Sequence, residues 1–217
     1  MNIRELIIDN LVNELNKNKV KLFTELELAG KYEDGRINSI AGEEIVSQFA
    51  DQITSNIRNI LSRAPPRHWY DYGNEDFPIN FKITTGIGAD NASSKKGLYF
   101  ALTGHSPLKL NERWDTYFNA FYAGIENSAS NILDKDYYYI VFNKKTKDIY
   151  WTSCRQLYKL GTPNGSNLPF QIPWAHQKIR VARSLDEARK FLMPPFKEAL
   201  IKSNKPLLEY NKHEWPW

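Results

Sequence analysis

The sequence predicts an α/β fold in which a central mixed β-sheet is flanked by helices, and three observations carry that prediction. Apolar residues recur at three- and four-residue intervals through 40–63 and 112–133, the period of an amphipathic helix. The shorter stretches FPINFKIT (77–84) and YYYIVF (137–142) alternate or run apolar over strand-like lengths. Helical and strand-like stretches interleave along 217 residues without an internal repeat or a long linker, so one domain spanning 1–217 is expected.

Taken in order, Ile3, Ile7, Leu11 and Leu15 mark a first helix by their four-residue spacing. The loop GKYEDGRINS follows, with turn formers on both sides of its charges. A second helix is predicted over 40–63, with Ile45, Phe49, Ile53, Ile57 and Ile60 as its buried stripe and Asn38 or Ser39 as its cap. APPRH stops it, because proline cannot continue a helix. A hairpin over 69–82, a loop TTGIGADNASS and a helix over 95–102 come next. The helix predicted over 112–133 shows its core face in Trp114, Tyr117, Phe118, Phe121, Tyr122, Ile125, Ala129 and Ile132. YYYIVF and DIYWTS flank NKKTK as a second hairpin. FQIPW and KIRVAR read as further strands beyond the polar loop GTPNGSN. Ser184 and Glu187 form a capping box that opens a last helix through Phe191, interrupted at Pro194-Pro195 and resumed to Ile201. The closing EWPW is expected to pack on the surface or on a partner.

Composition excludes several classes. Hydrophobic residues make up 41% and aromatics 13%, too many for a disordered chain. No apolar run approaches the length needed to span a bilayer, and the amphipathic, partly acidic start does not resemble a secretory or transit peptide. The single Cys154 rules out an internal disulfide and a CxxC metal site, and a reducing cytoplasmic location is expected. A net charge of +4 permits a polyanionic partner. His68, His105, His176 and His213 are scattered without an HExxH pattern, which argues against zinc. GIGADN lacks the third glycine of a dinucleotide loop, no GxxxxGK[ST] is present, and no GxSxG elbow accompanies any serine.

The chemistry concentrates in WYDYGNEDFPINFK (69–82). Ile79, Phe81 and Ile83 face one side of the second strand, while Asn80, Lys82 and Thr84 face the other. Folding about Glu75 and Asp76 pairs Asp71 with Asn80, with directly opposed side chains about 5 Å apart, close enough to share a cation. Asp76 is the poorer partner, because four strand residues put it about 13 Å from Asn80. Asp71, Asn80 and Lys82 therefore converge on one polar face. Such a set suits magnesium, which takes a few hard oxygens and completes its shell with water and phosphate. A lysine beside it can orient or deprotonate an attacking water. Further along, Gln171, Trp174, His176 and Lys178 in FQIPWAHQK can contact base edges or phosphates.

An Asp followed by NxK on a hairpin, preceded by an acidic helix, resembles the PD-(D/E)XK nuclease superfamily, and type II restriction endonucleases in particular. PINFKITTGIGADNASSKKGLYFALTG resembles that family's catalytic strand, loop and following helix. DGRINSIAGEEIV resembles the helix before the hairpin, whose glutamate assists the metal site; Glu43 and Glu44 are both candidates. The resemblance covers roughly 34–142, leaving 143–217 as expected DNA-contact strands and a C-terminal helix. Two positions depart from the pattern. Asn80 stands where the family has Asp or Glu, and Tyr70 stands where it has proline.

The resemblance implies a restriction-endonuclease-like core and Mg2+-dependent hydrolysis of phosphodiesters at a short duplex DNA sequence. Asp71 and Asn80 would ligate the metal, Lys82 would position or activate water, and Glu43 or Glu44 would support the metal or its waters. The stretch 84–91, including Thr84, Thr85, Asp90 and Asn91, would lie along DNA, and Lys95 and Lys96 would sit against phosphates. A homodimer matching a two-fold site and a companion methyltransferase are also implied. Two alternatives stay open: a repair or structure-specific nuclease of the same fold, and a non-catalytic DNA-binding module in which Asn80 marks a decayed site.

Overall fold

The computed structural model describes residues 2–29, 35–54, 61–86, 90–91, 95–111, 113–161, 169–203 and 210–216, with the backbone alone for 35–40, 90–91 and 203. The predicted stripe residues Ile57 and Ile60 and part of the TTGIGADNASS loop lie outside the described residues. The chain divides into two compact units, Met1–Ile87 with Tyr138–Thr152 and Gly88–Tyr137 with Ser153–Trp217.

The first unit is built on a five-stranded mixed sheet. Its strands are β1 (Ser62–Arg63), β2 (Tyr72–Asn74), β3 (Phe77–Thr84), β5 (Tyr138–Asn143) and β6 (Asp148–Ser153), neighbours in that order. β1, β2 and β3 pair antiparallel, whereas β3 and β5 run parallel from Ile79 opposite Tyr138 to Thr84 opposite Asn143. A parallel pair needs a long crossover, and the chain leaves for the second unit between these two strands. β5 and β6 form the expected second hairpin; the Asn143 carboxamide accepts the Lys145 and Thr146 amides and Lys147 takes a left-handed φ of 56°.

One sheet face carries the core. Ile79, Phe81, Tyr138, Ile140, Phe142, Ile149 and Trp151 pack with buried side chains of the three N-terminal helices, α1 (Ile3–Lys17), α2 (Lys19–Ala29) and α3 (Gly35–Ile53). An Asn2–Glu5 capping box starts α1. Its buried stripe is Ile8, Leu11, Val12 and Leu15, and Ile3, predicted inside, is 68% exposed. Asn16 donates to the Ile149 carbonyl at 2.9 Å and Trp151 Nε1 donates to Asp9 at 2.5 Å, tying α1 to β6.

α2 was not anticipated as a separate helix. Asn18 ends α1, its side chain donating back to the Glu14 carbonyl, while its own carbonyl accepts the first bond of α2 from Leu22 N–H. α3 begins at Gly35, so Asn38 and Ser39 lie inside it rather than capping it. It ends at Ile53, and Arg63, predicted to be helical, belongs to β1. Within α3, a Cβ on Gly42 would come 2.6 Å from Ile83 Cδ1, so the bare glycine lets the helix lie close against β3.

The second unit contains β4 (Asp90–Asn91) paired antiparallel with β7 (Gln171–Ile172), and helices α4 (Lys95–Thr103), α5 (Trp114–Glu126) and α6 (Leu185–Ser203). α4 matches expectation. α5 stops at Glu126 rather than Leu133: the Asn127 side chain donates to the Ala123 carbonyl and the Ser128 hydroxyl to Gly124 and Ile125, taking up the last free carbonyls. Ile132 lies in a separate 3-10 turn, Ile132–Asp134. The Ser184–Glu187 capping box is present, but α6 runs through Pro194 and Pro195 as one helix. KIRVAR forms no strand; Arg180 makes a single bridge to Leu157. Trp215 of EWPW packs its ring against Phe118, Phe121, Tyr122 and Tyr210.

Two buried arginines brace this unit. Arg155 donates to the carbonyls of Ala101 at 2.8 Å, Ile132 at 2.7 Å and Lys135, and Arg189 donates to the Leu102 carbonyl and the Ser128 hydroxyl. Ala101 and Leu102 are among the end carbonyls of α4, which have no helical partner and favour a cation. The buried Asp136 carboxyl beside Arg155 is pushed above its ordinary range by burial, against the pull of the guanidinium. Arg155→Met is expected to cost about 3 kcal/mol or more in urea unfolding, because it strands several carbonyls and removes the positive charge beside the buried Asp136. A loss below about 1 kcal/mol would show that neighbouring groups or water replace those bonds.

Candidate functional site

The site grows from the β2–β3 hairpin. Asn74 accepts the amides of Asp76 and Phe77, fixing a turn at Glu75-Asp76 where the sequence placed it. The alternation on β3 is also as expected. Ile79 and Phe81 are core residues, and Asn80, Lys82 and Thr84 are half-buried on the opposite side.

Asp71 departs by one residue from its predicted place. Strand pairing ends at Tyr72 opposite Ile79, and Asp71 N–H donates to the Ile79 carbonyl at 3.0 Å instead of continuing opposite Asn80. Such an offset re-aims a side chain. Here the carboxylate accepts the Phe81 amide at 2.7 Å, while the Asp71 carbonyl accepts the Ala64 amide. Asp71 is thus held through its carboxylate by β3 and through its carbonyl by the residue that follows β1.

Its electrostatics follow from that position. Burial raises the Asp71 carboxyl to about 6, the Phe81 amide opposes the rise, the Glu43 charge adds to it and the Lys82 charge reduces it. Glu43 and Lys82 therefore both bear on the same carboxylate. Glu44, the other helix candidate, is engaged elsewhere: Arg63 donates to both its oxygens at 2.9 Å and Gln48 to one at 3.0 Å, which holds its carboxyl low. Of the two glutamates, Glu43 is the one placed to act with Asp71.

Asn80 supplies the observation that tests a cation. Its carboxamide oxygen is buried and has no hydrogen-bond partner. A buried carbonyl oxygen without a donor is a group that a hard divalent ion satisfies, and the desolvated Asp71 carboxylate, with the Glu43 charge bearing on it, supplies the same kind of oxygen. Among the described residues no group of three or more His, Cys, Asp and Glu side chains could hold a metal ion.

A cavity of about 450 Å3 adjoins the acids, lined by Glu43, Glu44, Arg63, Arg67, His68 and Asp71 among others. In the sequence the 64–68 run APPRH stops a helix and His68 is one of four scattered histidines, with neither Arg67 nor His68 assigned to the site. The signal was there: two prolines followed by a basic pair, four residues before the candidate acid.

No family model, curated protein or solved structure matches this chain.

The remaining predicted residues are distributed over both units. Thr84, whose hydroxyl accepts the Gly86 amide, and exposed Thr85 follow β3 in the first unit. The others belong to the second. Asn91 pairs with Gln171 across the β4–β7 ribbon, so Asp90 and Asn91 are strand rather than loop residues. Lys95 holds its ammonium 4.2 Å from the Trp114 ring centroid, a cation–π contact in place of a solvated position. Lys96 is half-buried, and His176 and Lys178 are exposed around a 3-10 turn, Trp174–His176. No helix among the described residues is long and apolar enough to cross a membrane.

Proposed function

We propose that the chain is a Mg2+-dependent deoxyribonuclease that cuts duplex DNA at a short sequence, in the manner of a type II restriction endonuclease, with a restriction-endonuclease-like core over roughly 34–142. The observation that carries this reading is the buried Asp71 carboxylate on which the charges of Glu43 and Lys82 both bear, with the unsatisfied Asn80 carbonyl oxygen on the strand that carries Lys82.

Asp71 and Asn80 would hold the ion and Glu43 would support it or its waters. When bound, the metal supplies positive charge against the oxyanions that develop during phosphodiester hydrolysis. Asp71 is kept in place for this by the Phe81 amide and by its own backbone bonds, so little reorganisation is needed. Lys82, on the same strand face as Asn80, positions the attacking water and helps remove its proton. The neutral Asn80 holds a cation less tightly than a carboxylate would, which makes the charge on Glu43 the compensating feature. A homodimer acting on a two-fold site completes the proposal.

Incubating the purified chain with plasmid and Mg2+ tests the reading, with discrete fragments as the expected result. Random degradation points instead to a repair or structure-specific nuclease, and intact plasmid with retained binding to a DNA-binding module.

A further inference from the structure

The cavity lined by Glu43 and Asp71 is also lined by Arg67 and His68, which the proposed metal set does not use. Arg67 lines it with a left-handed φ of 64°. A side chain there costs about 1–2 kcal/mol, and glycine would serve the turn without strain. Pro65 and Pro66 fix the preceding backbone, and His68 N–H closes the turn on the Pro65 carbonyl at 3.1 Å. Strain of this kind concentrates where a side chain is held for a ligand.

The two side chains agree with that. Arg63 is engaged by Glu44 and Asp51, whereas Arg67 makes no hydrogen bond, ion pair or ring contact among the described residues. His68 packs edge-on against the Tyr70 ring at 4.5 Å, and its Nε2 is buried with no hydrogen-bond partner. An exposed cation without a counter-ion among the described residues and a histidine whose buried Nε2 has no partner therefore line one cavity.

We infer that Arg67 and His68 form an anion subsite that takes a backbone phosphate of the nucleic acid while Glu43, Asp71 and Asn80 face the metal. Guanidinium and imidazole donors suit the non-bridging oxygens of a phosphodiester. The subsite rests on the nuclease reading only for the identity of its ligand.

The test has two arms on the full chain. In the first, inorganic phosphate is titrated without metal while the imidazole 15N resonances are followed, with His68 assigned by its loss in His68→Gln. The His68 signal is expected to move saturably. Arg67→Gly, which keeps the backbone turn, is expected to weaken the response by roughly 10- to 100-fold, the worth of one charge-assisted bond, and Arg67→Lys to restore part of it. A still His68 resonance, or an unchanged response in Arg67→Gly, overturns the subsite.

The second arm measures plasmid cleavage with Mg2+. Cleavage that is lost in Lys82→Ala but unchanged in Arg67→Gly sinks the subsite and leaves the nuclease reading standing. Phosphate binding at His68 without any cleavage upholds the subsite and sinks the nuclease reading.

Discussion

Lys82→Ala is expected to lower Mg2+-dependent cleavage by about 10^3-fold, within the range that a positioned proton-transfer group contributes, while duplex binding stays within about threefold. The expectation rests on register. Phe81 is locked in the core, so Lys82 must emerge on the face that carries Asn80. Its charge is close enough to draw the Asp71 carboxyl downward. Lys82→Arg separates two roles, because a guanidinium keeps the charge but cannot take up a proton. Full rescue by arginine would mean that charge alone matters. Cleavage unchanged in Lys82→Ala, with an unaltered melting temperature, would remove Lys82 from the mechanism.

Asp71→Asn is expected to abolish cleavage and yet stabilise the metal-free protein at neutral pH. Holding a carboxyl at about 6, against an ordinary 3.8, corresponds to about 3 kcal/mol. Because the folded chain keeps this proton to higher pH than the unfolded chain does, the native state binds more protons between pH 3.8 and about 6. Stability therefore falls as pH rises through that window, and the loss is complete by neutrality. An asparagine stays neutral and still offers an oxygen to the Phe81 amide. At pH 7 the variant should melt higher by roughly 5–10 °C, with the advantage vanishing near pH 4. Added Mg2+ should raise the melting temperature of the wild type and leave Asp71→Asn unmoved. A variant less stable than wild type at pH 7 would show that the carboxylate is already compensated by its neighbours.

The same hairpin shows what a sequence can and cannot disclose. Its turn was legible because Asn74, Glu75 and Asp76 are turn chemistry between two strand patterns, and the alternation of β3 follows from a period of two. The one-residue offset at Asp71 was not, since it depends on which carbonyl the backbone amide finds across the ladder. The choice between Glu43 and Glu44 was equally hidden, because it turns on Arg63 arriving from β1, a strand that the helical period of 40–63 concealed. Elsewhere the aromatic stripe of α5 and the capping box of α6 were plain. The break between α1 and α2 was not, because Leu15 and Leu22 stand seven residues apart, a spacing that one continuous helix would also give. Short pairings such as β4 with β7 involve two residues each, too few for any periodicity to register.

The parallel partnership of β3 and β5 has a consequence for biogenesis. Thr84 leaves the ribosome more than fifty residues ahead of the strand that will cover its edge, an interval of about 3–10 s at ordinary rates of synthesis. Through that time the nascent β3 offers a row of unsatisfied amides and carbonyls to any passing strand, including the same strand of a neighbouring nascent chain. Self-association during translation, before any native surface exists, is thus the failure to watch for when this chain is overproduced.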